Sequence, residues 1–170
     1  DLWNFDAVTI NAWGGYDTVE PFISDDRRGA FIWCRGSNPG SSDLQDLTVE
    51  SNSNHMLIYE IMAQYAENWN VKNNLGLVVG ATVTQQLKSV RELCPEQVIL
   101  IPGVGAQGGD LSTSVLYGVD DRGRLAIINS SRGIIYASQE SDFAQAARIA
   151  ASKIKENINS VLETSGKGWT

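Results

Sequence analysis

Two stretches of this chain combine residue types that can hold an anion. The first is Val98-Ile99-Leu100-Ile101-Pro102-Gly103-Val104-Gly105-Ala106-Gln107-Gly108-Gly109-Asp110, where an apolar run breaks into a loop rich in glycine with one amide side chain, Gln107. Glycine lets a backbone turn sharply and bring its N–H groups close to a ligand. The second is Ser130-Ser131-Arg132-Gly133. Arg132 offers planar, permanently charged donors suited to phosphate, and the N–H groups around Ser131 to Gly133 would add neutral donors at a helix start. On composition alone, the first stretch reads equally well as an ordinary turn and Arg132 as a surface or salt-bridge arginine.

Both stretches sit directly after strand-like segments. The run Val98 to Ile101 reads as a strand buried on both faces, as in a parallel sheet. Four similar segments accompany it: Asp6 to Asn11, Ala30 to Cys34, Leu75 to Ala81 and Leu125 to Asn129. Between them lie helical patterns. Asp17 with Glu20 suggests a capping box for a short helix through Pro21-Phe22-Ile23. Ile58, Ile61, Met62, Tyr65 and Trp69 repeat at three and four residues. Leu87, Val90, Arg91 and Leu93 mark a helix stopped before Pro95. Asp110 reads as a helix cap rather than a catalytic acid. A closing helix carries Phe143, Ala147, Ala150, Ile154, Ile158 and Val161 on one face. The stretch from Ser42 to Asn54 is polar and reads as loop.

Strands alternating with helices imply a parallel α/β fold with its polar loops after the strands. A complete (β/α)8 barrel usually takes about 250 residues, and the chain has 170. Five strands alone would leave two open sheet edges. The expectation is therefore an α/β (β/α)8 TIM barrel, with this chain covering roughly the last five β/α units. Residues 1–170 would form the C-terminal part of a single domain. Phosphate in such barrels commonly binds between the loops after strands seven and eight, and counting backward from the chain end places Gln107 and Arg132 on those loops.

Composition narrows the partners. Apolar residues make up 42% and charged residues 19%, as in an ordinary globular protein. A formal charge of −7 argues against nucleic acid, which needs basic stripes, while leaving room for one small phosphate ester. No apolar run approaches the ~18 residues of a membrane span. Cys34 and Cys94 lack metal-ligand spacing and read as free thiols of a reducing, cytoplasmic compartment. His55 has no second His or Cys near it to make a metal site; it reads as solvated or capping at a helix start.

The segment Pro102 to Asp110 resembles, residue for residue, the PG(I/V)GAQGGD signature of orotidine 5′-phosphate decarboxylases. Val8 to Asn11, Arg35-Gly36-Ser37-Asn38-Pro39-Gly40-Ser41, Val79 to Thr82 and Ser130 to Tyr136 also resemble motifs of that family. They occur in family order and span Asp6 to about Asn159; the SNPGS and SSRGIIYA forms are similar to its second sequence branch. The resemblance implies a homodimeric barrel, without metal or organic cofactor, converting orotidine 5′-phosphate to uridine 5′-phosphate and carbon dioxide in pyrimidine synthesis. It implies that Ser37 hydrogen-bonds the pyrimidine edge and that Pro102 shapes the pocket near the reacting carboxylate. Gln107 would bridge pyrimidine and phosphate, with Arg132 and the Ser131 amide holding the phosphate. Asn11 and Thr82 lie in matching motifs, where structural and binding roles compete. Gly108 to Asp120 would correspond to a mobile loop closing over the phosphate.

The family's catalytic Asp-x-Lys-x-x-Asp motif, and the further Lys on the preceding strand, are not found in this sequence. No catalytic residue is therefore assigned, and the chain reads as the binding half of an active site, inactive without the missing groups. Two other readings compete: another phosphate-binding barrel of the pentose-phosphate epimerase or aldolase type, and a non-catalytic nucleotide-binding domain.

Overall fold

The computed structural model describes residues 4–51, 54–105 and 109–169. Five parallel strands form one sheet: β1 (Ala7–Ile10), β2 (Gly29–Arg35), β5 (Leu75–Val79), β6 (Ile99–Pro102) and β7 (Ala126–Asn129), in that spatial order. Between β2 and β5 lies an antiparallel hairpin, β3 (Thr48–Ser51) with β4 (Asn54–Leu57). The helices are α1 (Tyr16–Ile23), α2 (Ser42–Gln45), α3 (Ile58–Trp69), α4 (Thr84–Leu93), α5 (Leu111–Gly118), α6 (Arg132–Ile135) and α7 (Phe143–Thr164). None among the described residues is long and apolar enough to cross a membrane.

Within the sheet, spatial order follows chain order with no reversal, which separates a singly wound, barrel-type sheet from a doubly wound one. Strand alternation divides the side chains cleanly. Ile32, Leu77, Ile99 and Ile101 are fully buried in one core with Val19, Ala63, Ala66, Leu87 and Val90 from the helices. The opposite face carries Thr9, Phe31, Val78, Leu100 and Ile127 in register. There Gly76 gives its space to the Phe31 ring, which a Cβ would meet at 2.7 Å. The described strands do not close into a barrel; the sheet is an arc with β1 and β7 at its edges.

Several local expectations change. The segment Ser42 to Asn54 is not loop: the 3-10 turn Pro39–Ser41 runs into α2, and the hairpin follows. His55 lies on β4 opposite Glu50, exposed, rather than at a helix start. Its solvated character holds, and the cap on α3 comes instead from Glu60, whose Oε2 accepts the Leu57 N–H at 2.9 Å. The capping box on α1 does not form. The chain turns through Gly15 at φ 89°, the helix begins at Tyr16, and Asp17 falls inside the first turn, where its charge still opposes the helix dipole favourably. On α3 the fully buried residues are Tyr59, Ala63 and Ala66, with Met62 and Trp69 of the expected stripe partly buried against the same core; Tyr65 is exposed and stacks on Trp69, centroids 5.4 Å apart. Phe143 at the start of α7 is exposed, and burial begins further along that helix.

Cys34 and Cys94 are buried free thiols, each donating to an α3 carbonyl (Tyr59 and Ala63) at 3.3 Å. Burial pushes both thiols up, Cys94 to about 12, so neither is a nucleophile at neutral pH.

Candidate functional site

Every strand of the sheet delivers its C-terminal end to the same rim. On β7 the inward positions are Ile127 and Asn129, and Asn129 pairs with Pro102 of β6. Beyond them the chain enters α6, where Ile134 and Ile135 both donate to the Ser131 carbonyl, at 3.2 and 2.8 Å. Arg132 opens this short helix and is exposed. Residues 102–104 and 129–132 together line one solvent-open cleft. Pro102, Ser131 and Arg132 thus share a wall-to-wall site.

The glycine loop rises from the same edge. Gly103 at φ 100° and Gly105 at φ 77° take left-handed backbone that side chains disfavour. Val104 bridges to Gly109, and Gly105 N–H donates to Gly109 O at 3.2 Å. A Cβ on Gly109 would stand 2.6 Å from Ala81 Cβ and 2.9 Å from Gly103 O, so the returning strand of the loop lies directly on the end of β5. Gln107 lies outside the described residues, and its role rests on the sequence alone. Asp110 accepts the Thr113 N–H at 2.7 Å, and hydrogen bonding from Thr113 holds its carboxyl below the usual carboxylate range. That is the helix cap expected from the sequence. Most of the segment expected to be a mobile loop is therefore α5, with Ser114, Val115 and Gly118 buried.

Ser37 stands on the neighbouring side of the rim, on the loop after β2, and does not line the Arg132 cleft. Its place is set by Gly80 at the end of β5, where a Cβ would come within 2.6 Å of Ser37 Cβ. Thr82 Oγ1 reaches Ser37 O across a long 3.5 Å. Asn11 spends its Oδ1 on the Trp13 N–H, 2.9 Å, a turn role. Among the described residues no three His, Cys, Asp or Glu side chains gather as a metal-ligand set.

Two features had no reading in the sequence. Asn129 Oδ1 is buried in the cleft wall without a hydrogen-bond partner among the described residues; a lone Asn ending an apolar strand was the available signal. Arg35, the last residue of β2, is only 4% exposed and bonds four acceptor atoms on Gly36, Ser41 and Asp46. Its direction depends on a sheet irregularity that sequence spacing does not reveal.

A singly wound parallel sheet with an arginine-walled cleft at the C-terminal ends of its last two strands defines a protein of the (β/α) barrel class. The sequence profile of the orotidine 5′-phosphate decarboxylase / HUMPS family matches residues 2–148, and the chain belongs to that family. It is 47% identical over 159 residues to the orotidine 5′-phosphate decarboxylase of Dehalococcoides mccartyi strain BAV1, covering 94% of this chain and 59% of that protein. Among solved structures, Leishmania donovani OMP decarboxylase superposes with a TM-score of 0.76 at 35% identity, covering 91% of this chain and 58% of that one. Leishmania donovani UMP synthase superposes with a TM-score of 0.78 at 38% identity, covering 91% and 34%. The chain therefore spans well under two thirds of the length of these relatives.

Proposed function

We propose that this chain supplies the pyrimidine- and phosphate-binding half of an orotidine 5′-phosphate decarboxylase site. The reaction is conversion of orotidine 5′-phosphate to uridine 5′-phosphate and carbon dioxide in pyrimidine biosynthesis. The observation that carries the reading is the meeting of 102–104 with 129–132 in one cleft, with Arg132 on its wall. Arg132 and the Ser131 amide hold the phosphate, Gln107 reaches from the glycine loop to link phosphate and base, Pro102 shapes the pocket, and Ser37 hydrogen-bonds the base edge. The residues protonating the carbanion belong to a segment N-terminal to this one, so residues 1–170 alone bind but do not turn over substrate. The natural protein acts as a cytoplasmic homodimer.

Grip on a remote phosphate matters because binding energy away from the reacting carbon can orient the base and exclude water around it. A charge-assisted hydrogen bond is worth about 1.5–3 kcal/mol. In the full natural chain, Arg132→Ala therefore lowers kcat/KM by on the order of a hundredfold, and phosphite with a substrate lacking phosphate restores part of the rate. Kinetics unchanged by the substitution refute the assignment. Calorimetry separates the competing classes: uridine 5′-phosphate binds well and ribose 5-phosphate poorly under this reading, whereas a pentose-phosphate enzyme reverses that order.

A further inference from the structure

The reading of Ser37 as a base-binding residue, on which the following rests, leaves open what holds its loop. Residues of β2 alternate as far as Trp33, which pairs with Val78 on the open face of the sheet. The register then slips, and Arg35 pairs with Val79 instead. Val79 is fully buried in the helix-side core. The bulge thus turns Arg35 away from the substrate face and into the layer behind it, the kind of re-aiming that bulges produce near sites.

Behind the sheet, Arg35 meets Asp46 in a two-pronged ion pair, Nε to Oδ1 at 3.0 Å and Nη2 to Oδ2 at 2.8 Å. Its Nη1 donates to Gly36 O at 2.6 Å and to Ser41 Oγ. Ser41 Oγ in turn donates to Asn38 O at 2.6 Å, and Gln45 Oε1 accepts the Gly36 N–H at 2.9 Å. Arg35 and Asp46 stand at the two ends of the segment containing Ser37, and every bond in this set lies within it. Leaving buried guanidinium donors unmatched is costly, and the acceptors for Arg35 named here all lie on residues 36–46, so a shift of that segment breaks them.

We infer that Arg35 and Asp46 are positioning residues for substrate: they fix the backbone on both sides of Ser37 and act on the ligand only through it. The test is a double-mutant cycle in the full natural chain, read as affinity for uridine 5′-phosphate and as KM and kcat for orotidine 5′-phosphate. Ser37→Ala weakens affinity about tenfold, the loss of one hydrogen bond to the ligand. Asp46→Asn, which removes the charge and keeps the size, weakens it by a similar factor. The pair Asp46→Asn/Ser37→Ala is no worse than Ser37→Ala alone, with the change in KM rather than kcat. Multiplicative losses overturn the inference while leaving the base-binding role of Ser37 standing. So does an Asp46→Asn variant that lowers the unfolding midpoint but leaves affinity untouched. A silent Ser37→Ala overturns the underlying reading of Ser37 itself and the inference with it. Should Asp46→Asn fail to fold, Arg35→Lys enters the same cycle with the charge retained and the fork lost.

Discussion

Glu67 on α3 has a buried Oε2 with no hydrogen-bond partner among the described residues. Burial raises its carboxyl above the usual range, repulsion from Glu96 adds to this, and Arg91 opposes it. A carboxyl that binds its proton more readily folded than unfolded favours the fold when protonated. That contribution fades as pH climbs from the unfolded value of 4.5 through the raised folded one. Glu67→Gln therefore raises the urea midpoint at pH 7, and its advantage shrinks toward pH 4. An equal shift at both pH values would show that charge is not the cause. Asp25 runs the other way: hydrogen bonds from Arg27 hold it at about 2, so its contribution is present above the unfolded value of 3.8 and is lost as pH falls through 2. Arg91, buried in the last turn of α4, illustrates how a charge can be structural throughout. It donates to the carbonyls of Gly118, Cys94, Pro95, Gln97 and Leu125, joining two helix ends to the sheet.

At the scale of elements, the decisive contact is between a strand end and a loop. A Cβ at Gly80 would lie 2.6 Å from Ser37 Cβ and 3.0 Å from its Cα and N, so Gly80→Ala must push the Ser37 loop outward. Gly76→Ala on the same strand collides with Phe31 at 2.7 Å, far from the rim. Both substitutions cost about 1–3 kcal/mol of stability by overpacking, but under the proposed function only Gly80→Ala weakens uridine 5′-phosphate binding in the full natural chain. Equal affinity losses, measured by calorimetry beside urea unfolding, would detach Ser37 from the site. The same elements mark where sequence patterns sufficed. Leu75 to Val79 is buried at every position, so an unbroken apolar run identifies it. The hairpin β3–β4 escapes because Glu50 and His55 face solvent and its apolar content is low. The buried face of α3 is legible in part: Met62 and Trp69 of the spaced stripe pack against the core, but its fully buried contacts include the small Ala63 and Ala66, which a hydrophobicity count ranks low. The closeness of Pro102 to Ser131 and Arg132 is legible because Pro102 ends β6 and the other two come just after β7, its neighbour in the sheet. The direction of Arg35 is not, since a one-residue register slip decides which face it serves.

Over the whole molecule, one side of the sheet is thickly covered and the other is open. The outer helices bury Ile32, Leu77, Ile99 and Ile101 completely, while Trp33 and Ile127 on the inner face remain about half exposed. Both edge strands, β1 and β7, present unpaired backbone among the described residues, and β1 is exposed along most of its length. Open edges and apolar faces invite pairing between chains. The formal charge of −7 opposes that association by long-range repulsion, and salt screens repulsion over about 10 Å at 0.1 M. Residues 1–170 expressed alone should therefore bind an apolar dye such as anilinonaphthalene sulfonate and sediment above 18.5 kDa, with the heavier species growing as salt is raised. Ile127→Lys puts a charge on the open face, reverses the growth and leaves the outer core intact. Under the proposed reading of this chain as part of a barrel, a longer chain that closes the sheet shows neither dye binding nor salt-driven growth, because its added strands cover the same face. A 170-residue chain that stays monomeric and dye-free at every salt concentration would mean that the arc is self-sufficient, and that its open face needs no partner.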